Sequence, residues 1–292
     1  GRHKVFGNHD LAVIPQTSTI ASHLPKAVGA AYSLGLARRC APEHACLPAD
    51  SIVMCSFGDA SSNHSTAQGA INTACWTSYQ SVPLPLLFVC EDNGIGISVP
   101  TPRGWVAANY SNRPGLKYFT CDGLDMAETL QVSQAAADYV RRTRKPAFLH
   151  IATVRLYGHA GSDVEMTYRD KTAIEASEAN DPLLHSVRIL RDAGVRTPAQ
   201  SLEIYHELEE TCTRVAGEVM QLDGLRTAAD VMASIIPPAR VCTPSNGPAP
   251  DARAAVFGND IKQMAEPQPM NRLIGWALAD LMLEYPEIIV AG

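Results

Sequence analysis

No basic stripe runs through these 292 residues, whose 24 Lys and Arg stand against 30 Asp and Glu for a net charge of −6. Nucleic-acid binding rests on Lys and Arg clusters that neutralise phosphates, so no nucleic-acid partner is expected. No apolar run approaches the roughly 18 residues that suggest a membrane span. The N-terminal GRHKVFGNHD has no signal-peptide core. Eight cysteines are present, and none forms a CxxC pair. Cys55 and Cys90 lie inside apolar runs, where cysteine acts as a small hydrophobe. Reduced intracellular thiols in a cytoplasmic chain are expected, not a disulfide framework. CAPEHAC (Cys40 to Cys46, with His44 inside) lacks zinc-ligand spacing and reads as a surface loop. No GxGxxG follows a strand, which argues against an NAD-type Rossmann enzyme. No repeat of short period is present.

What is present is apolar. Hydrophobic residues make up 46% of the chain and charged residues 18%, a balance that suits a buried parallel sheet or a large oligomer interface. The length allows one large or two modest domains. Pro25 opens a helical run, KAVGAAYSLGLARR, at a position where proline is tolerated. Ile52 to Phe57 and Leu84 to Cys90 are short continuous apolar runs that predict buried strands. Between them, Asn63 to Tyr79 reads as a helix with Ala67, Ile71, Ala74 and Ser78 on one face. Tyr118 to Cys121 and Ala147 to Val154 are further strands. Asp125 and Glu128 resemble a capping box opening a helix that runs to about Arg144. Strands alternating with helices predict an α/β fold, a parallel sheet covered on both faces. Two amphipathic helices follow, at 182–193 and 199–222. Seven prolines between 236 and 270 mark a linker. Met270 to Glu284 is a new helix and Ile288 to Val290 a new strand. The chain reads as one that starts in mid-fold and stops at the start of a second domain.

In parallel sheets, ligands bind beyond the carboxyl ends of the strands. Asp59, Asn93 and the Arg155–His159 segment all follow strand ends, which places them on one rim. An Asp carboxylate, an Asn oxygen and a backbone carbonyl are hard ligands that suit Mg²⁺. The small residues Ala60, Ser61 and Ser62 let backbone N–H groups approach a diphosphate, and a helix near Asn63 offers its positive end to the same anion. Gly-Asp and Asp-Asn-Gly are also ordinary turns, so this pattern alone leaves both readings open.

The two halves, Gly58-Asp59-Ala60 and Asn93, lie 93 − 59 = 34 residues apart. This spacing resembles the thiamine diphosphate motif, which runs from Gly-Asp-Gly to a terminal Asn. The likeness extends to the α-subunit of the decarboxylating component of 2-oxo acid dehydrogenase complexes, of the branched-chain and pyruvate types. It is carried by STIASHLPKAVGAAY, FVCEDNGIGISVPT, VRLYGHAGSDVEMTYR and DPLLHSVRILRDAGV. MNRLIGWALADLMLEYPEIIVAG resembles the start of that family's β-subunit, as in a fused α–β polypeptide.

The resemblance implies a thiamine diphosphate-binding fold and oxidative decarboxylation of a 2-oxo acid, with acyl transfer to a lipoyl-bearing transacylase. It implies thiamine diphosphate and Mg²⁺ as cofactors. Asp59, the Asn93 side chain and the Ile95 carbonyl would ligate the metal. Gly58, Ala60 and Ser61 would border the diphosphate, and Ser18 and Ile20 the aminopyrimidine. His159 would lie over the cofactor as acid/base or orienting group, and Arg155 on the same loop. Residues 1–160 would form the diphosphate-binding module, 161–235 an active-site loop and helical tail, 236–269 the linker and 270–292 the start of a pyrimidine-binding module. A homodimer of fused chains or an α2β2-like assembly would follow.

The chain departs from the family pattern in places. Ala60 replaces the third motif glycine, Asp92 stands where Asn is common, and Ala160 stands where kinase-controlled relatives carry Ser. His23 falls, with Thr17, where some members bind a monovalent cation. The plainer readings are an Arg155 paired with Asp163 or Glu165, a surface His159 and an ordinary core Ile20. His3, His9 and His44 read as surface residues. An acetoin-cleaving enzyme of the same fold and a non-catalytic assembly module are the rival functions.

Overall fold

The computed structural model describes residues 6–8, 10–40, 42, 45, 47–232, 246–285 and 288–290. An antiparallel pair, β1 (Phe6–Asn8) and β2 (Val13–Gln16), precedes the main sheet. The chain then runs through α1 (His23–Cys40), β3 (Val53–Gly58), α2 (Ser65–Tyr79), β4 (Leu86–Asp92), α3 (Trp105–Tyr110), β5 (Lys117–Asp122), α4 (Met126–Thr143) and β6 (Ala147–Ala152). The four strands β3 to β6 are all parallel, in the order β3-β4-β6-β5. This is the expected α/β architecture. Parallel strands need crossovers, and the intervening helices supply them.

Leu86 to Cys90 are five consecutive buried residues, which is why the run shows no alternation. One face of the sheet carries Phe57, Phe88, Cys90 and Phe148. It packs on Leu24, Ala27 and Val28 of α1 and on Ala67, Ile71 and Ala74 of α2. The other face carries Leu87, Val89 and Leu149 against Ala136 and Val140 of α4. The stripe expected on α2 is buried throughout: Ala67, Ile71, Ala74 and Ser78 are at most 5% exposed. Phe148 anchors the first face, with the Tyr110 ring stacked on it at 4.3 Å and the Phe57 ring edge-on at 5.9 Å.

Several boundaries differ from expectation. The α-helix expected from Asn63 begins at Ser65, because a 3-10 turn, Ala60–Asn63, comes first and His64 caps the helix by accepting the Thr66 N–H. Asp125 caps α4 by accepting the N–H groups of Ala127 and Glu128. The Glu128 carboxylate turns to the Asp122 N–H, so the reciprocal box does not form.

The tail is helical: α5 (Lys171–Glu178), α6 (Pro182–Asp192), α7 (Pro198–Met220) and α8 (Ala228–Met232). A full capping box opens α7, between Thr197 and Gln200. Where the prolines predict a linker, residues 236–245 lie outside the described residues. The remainder holds two short helices, α9 (Pro250–Phe257) and α10 (Asp260–Gln263). Pro250 is the first residue of α9, a position that proline favours, and so starts structure there instead of preventing it. The helix α11 (Met270–Glu284) forms as expected. Ile288–Val290 is not a strand in the structure, which corrects that expectation; a strand forms only where a neighbour takes its backbone groups.

The chain divides into two compact units, Gly1–Tyr32 with Pro48–Met232, and Ser33–Leu47 with Ala233–Gly292. In the second, Arg253 donates from Nε and Nη2 to the two Asp280 carboxylate oxygens at 2.8 and 2.9 Å, tying α9 to α11. Among the described residues, no helix is long and apolar enough to cross a membrane. The six described cysteines are free thiols. Cys46, Cys242, His3, His9 and His44 lie outside the described residues.

Candidate functional site

Gly58 and Glu91 are register partners at the ends of β3 and β4. The chain therefore leaves two neighbouring parallel strands on the same rim, and Asp59 and Asn93 follow immediately. The two exit loops touch. A Cβ placed on Gly96 would lie 3.3 Å from the Ala60 Cβ.

Asp59 is 1% exposed, and its Oδ2 has no hydrogen-bond partner. Burial pushes its carboxyl above the usual range, and the nearby Asp92 carboxylate pushes the same way. The Thr101 side chain and the Ala60 backbone oppose them. A buried carboxylate oxygen with nothing to accept is costly, and its presence calls for a cause. A divalent cation would supply one.

The turn behind Asp59 is held from below. Ser62 donates its N–H and its hydroxyl to the Asp59 carbonyl, the latter at 2.6 Å. The Ser62 carbonyl in turn accepts Gln68 Nε2 at 2.8 Å and the Tyr110 hydroxyl at 3.1 Å. Ala60 and Ser61 lie on the outer side of this turn, Ala60 exposed and Ser61 half-buried. Gln68 and Tyr110 carry no sequence signal for this role, because only the packed structure brings them under residue 62.

The second loop is a tight return. Gly94 takes φ +74°, where glycine is unstrained, and the Asn93 Oδ1 accepts the Ile95 N–H at 3.1 Å. Gly96 donates to the Val99 carbonyl and Thr101 to the Gly94 carbonyl, both at 2.9 Å. An amide oxygen has two lone pairs, so Asn93 Oδ1 retains one for a metal. Among the described residues, no group of three His, Cys, Asp or Glu side chains stands together. A set of one carboxylate, one amide oxygen and one carbonyl is different in kind, and it fits a hard cation that keeps waters or phosphate oxygens.

Arg155 joins this loop to the next. Its Nη1 donates to the Gly96 and Ile97 carbonyls, both at 2.8 Å, and its Nη2 to the Tyr168 hydroxyl at 2.7 Å. Glu165 lies 3.7 Å away, so one of the two ion pairs read from the sequence is present. With both terminal nitrogens engaged, Arg155 acts as a strut between the Asn93 loop and the His159 loop. A pocket of about 230 Å³ opens beside it, lined by Asn93, Ile95, Arg155 and Tyr168 among others.

His159 is exposed, and its backbone N–H donates to Asp163 Oδ2 at 2.6 Å. Tyr168 donates to the same oxygen at 2.6 Å. These two donors hold the Asp163 carboxyl below the usual range. Gly158 packs so closely that a Cβ there would lie 2.6 Å from the Asp163 carbonyl oxygen. The loop is thus closed on itself, with the His159 ring left outside.

Ser18 and Ile20 lie in the turn before α1, and both are exposed; at 53% exposure, Ile20 is not a core residue. His23 donates from Nε2 to the Ser56 carbonyl at 2.8 Å, which tethers this turn to β3 just before Asp59.

The family model of the dehydrogenase E1 component matches residues 1–222. The α subunit of Bacillus subtilis 2-oxoisovalerate dehydrogenase is 27% identical over 193 residues, covering 65% of this chain and 54% of the relative. The human testis-specific mitochondrial pyruvate dehydrogenase E1 component α subunit is 31% identical over 176 residues, covering 58% and 41%. An Arabidopsis thaliana mitochondrial 2-oxoisovalerate dehydrogenase α subunit 2 is 29% identical over 182 residues, covering 61% and 35%. The chain spans about half the length, or less, of these relatives. With a match over more than two thirds of its residues, the chain belongs to the dehydrogenase E1 component family.

Proposed function

We propose that this chain carries the diphosphate-and-metal half of an enzyme that oxidatively decarboxylates a 2-oxo acid, branched-chain or pyruvate, and passes the acyl group to a lipoyl-bearing partner. Membership of the family implies thiamine diphosphate as cofactor. The observation that carries the reading is the buried, unpartnered Asp59 Oδ2 at the rim, on an exit loop whose next residue, Ala60, packs beside Gly96 of the loop that bears Asn93.

Asp59, the Asn93 side chain and the Ile95 carbonyl would hold Mg²⁺. Gly58, Ala60 and Ser61 would border the diphosphate, with the 3-10 turn presenting backbone N–H groups. Ser18 and Ile20 would contact the aminopyrimidine from the turn that His23 tethers. When bound, the cofactor supplies the electron sink for loss of CO₂; the protein's part is binding, orientation and electrostatics. Arg155 holds the Asn93 loop and the His159 loop in fixed relation. His159, with its ring free on a closed loop, would transfer or orient a proton during acyl transfer. Substrate, lipoyl partner, a homodimeric or α2β2-like assembly and a reducing, cytoplasmic setting belong to the same proposal.

His159→Ala tests the catalytic assignment. Thiamine diphosphate affinity measured by calorimetry should be unchanged. Lipoyl acylation by the complete enzyme should fall by about 10²-fold or more, the range for a general acid or base. Full acylation by the variant would remove His159 from the chemistry.

A further inference from the structure

Three polar side chains climb one face of the sheet in a diagonal row. Tyr118 on β5 is register partner to Phe148; His150 on β6 is partner to Cys90 of β4; Asp92 ends β4 opposite Ala152. Each step across a strand rises two residues toward the rim. The Tyr118 hydroxyl lies 2.6 Å from His150 Nδ1, and His150 Nε2 lies 2.8 Å from Asp92 Oδ2. The carboxylate accepts, so Nε2 carries a proton; in the neutral ring Nδ1 then accepts the Tyr118 O–H. Burial raises the Tyr118 hydroxyl further above its ordinary value, which keeps that proton in place. The His150 and Asp92 side chains are 12% and 22% exposed.

Asp92 is the last residue before the candidate ligand segment, and its two carboxylate oxygens have different duties. Oδ2 is held by His150. Oδ1 accepts the Gly94 N–H at 3.0 Å, within the Asn93–Gly94 turn. The Asp92 carbonyl accepts the Thr153 N–H at 2.7 Å. With His150 absent, Oδ2 would lose the one side-chain hydrogen bond it accepts among the described residues. The carboxylate would then be free to turn to solvent and release Gly94. Asp92 also lies within electrostatic reach of Asp59, so its orientation bears on the charge at the rim.

We propose that His150 is a positioning residue for metal binding: it fixes Asp92, and through Asp92 the Asn93–Ile95 ligand segment, while Tyr118 fixes the His150 tautomer. The proposal rests on the reading of Asp59, Asn93 and Ile95 as metal ligands. It gives a function to a half-buried histidine that the chemistry at His159 does not use.

The test compares the complete protein that contains this chain with its His150→Phe, His150→Gln and Tyr118→Phe variants, and it has two readouts. Without ligand, amide hydrogen exchange at Gly94 reports whether Asp92 still holds the turn, and Val89 in mid-strand serves as the reference. With saturating thiamine diphosphate, calorimetric titration of Mg²⁺ reports the metal midpoint. In His150→Phe, Gly94 should exchange about tenfold faster with Val89 unchanged, and the Mg²⁺ midpoint should rise about tenfold, as when other partners that orient metal ligands are lost. His150→Gln, whose amide donates to Asp92, should restore most of both. Tyr118→Phe should shift each by about threefold, the effect of one hydrogen bond. Unchanged Gly94 exchange in a folded His150→Phe overturns the proposal, as does equal acceleration along all of β4. Should His150→Phe not fold, Tyr118→Phe decides: no shift in either readout overturns it. Failure of the unmodified complete protein that contains this chain to bind thiamine diphosphate with Mg²⁺ would instead sink the proposed function and the metal role with it. The Gly94 readout would then report on the strut alone.

Discussion

Asp59 is the residue on which the proposed site turns, and in the proposed role it would give up stability for binding. Its folded-state pKa is raised, chiefly by burial. Above the ordinary aspartate range the unfolded chain ionises at no cost while the folded chain resists. Metal-free stability should therefore fall as pH rises from that range through the folded value, then level off. Asp59→Asn removes the buried charge. It should raise metal-free stability at pH 7 by roughly 1 kcal/mol, at the low end of the cost of a buried unpartnered polar group. That gain should vanish below the ordinary aspartate range, where both states of the unmodified chain are protonated. Denaturant unfolding at several pH values checks this; a variant less stable than the original at pH 7 without metal would contradict it. The rim positions of Asp59 and Asn93 were legible in the sequence because each follows an apolar run that predicts a buried parallel strand. His150, Gln68 and Tyr110 were not, because their roles arise from the register of strands and the packing of helices far apart in sequence.

At the scale of elements, the Arg155 strut and the closed His159 loop act together. Gly158→Ala would force a Cβ against the Asp163 carbonyl, displacing the loop that carries His159. Proteolysis within residues 157–163 should quicken and catalysis by the complete enzyme should fall, while Mg²⁺-dependent cofactor binding persists. Loss of binding together with activity would place the loop among the cofactor's supports instead. In the sheet, Phe148 touches rings from three other elements, α3, β3 and β5. Phe148→Ala should cost about 3–5 kcal/mol by chemical denaturation, the range for a buried phenylalanine. The apolar strands and the α2 stripe were readable because burial on both faces leaves a continuous or 3.6-residue pattern. The helices α9 and α10 were not, because proline density reads as linker whether or not one proline stands at a helix start. Ile288–Val290 has the composition of a strand and lacks that structure, since composition does not supply a pairing partner.

On the scale of the whole chain, burial is uneven. The sheet module holds both hydrophobic clusters, whereas α5 to α8 bury no residue completely. Amide exchange should be slowest in β4 and β6 and faster by orders of magnitude in α7, since local opening follows buried contacts. The chain spans about half the length of its relatives, or less, so on the proposed function the chain alone should show no 2-oxo acid turnover. On the proposed function, this rim binds a diphosphate cofactor through a metal held by Asp59. Calorimetric titration of thiamine diphosphate, with and without Mg²⁺, into the chain and into Asp59→Ala tests it most directly. Binding that requires both Mg²⁺ and Asp59 is the predicted result. Binding that survives Asp59→Ala, or no binding by the complete protein that contains this chain, would contradict it, and the latter would favour a module kept for assembly.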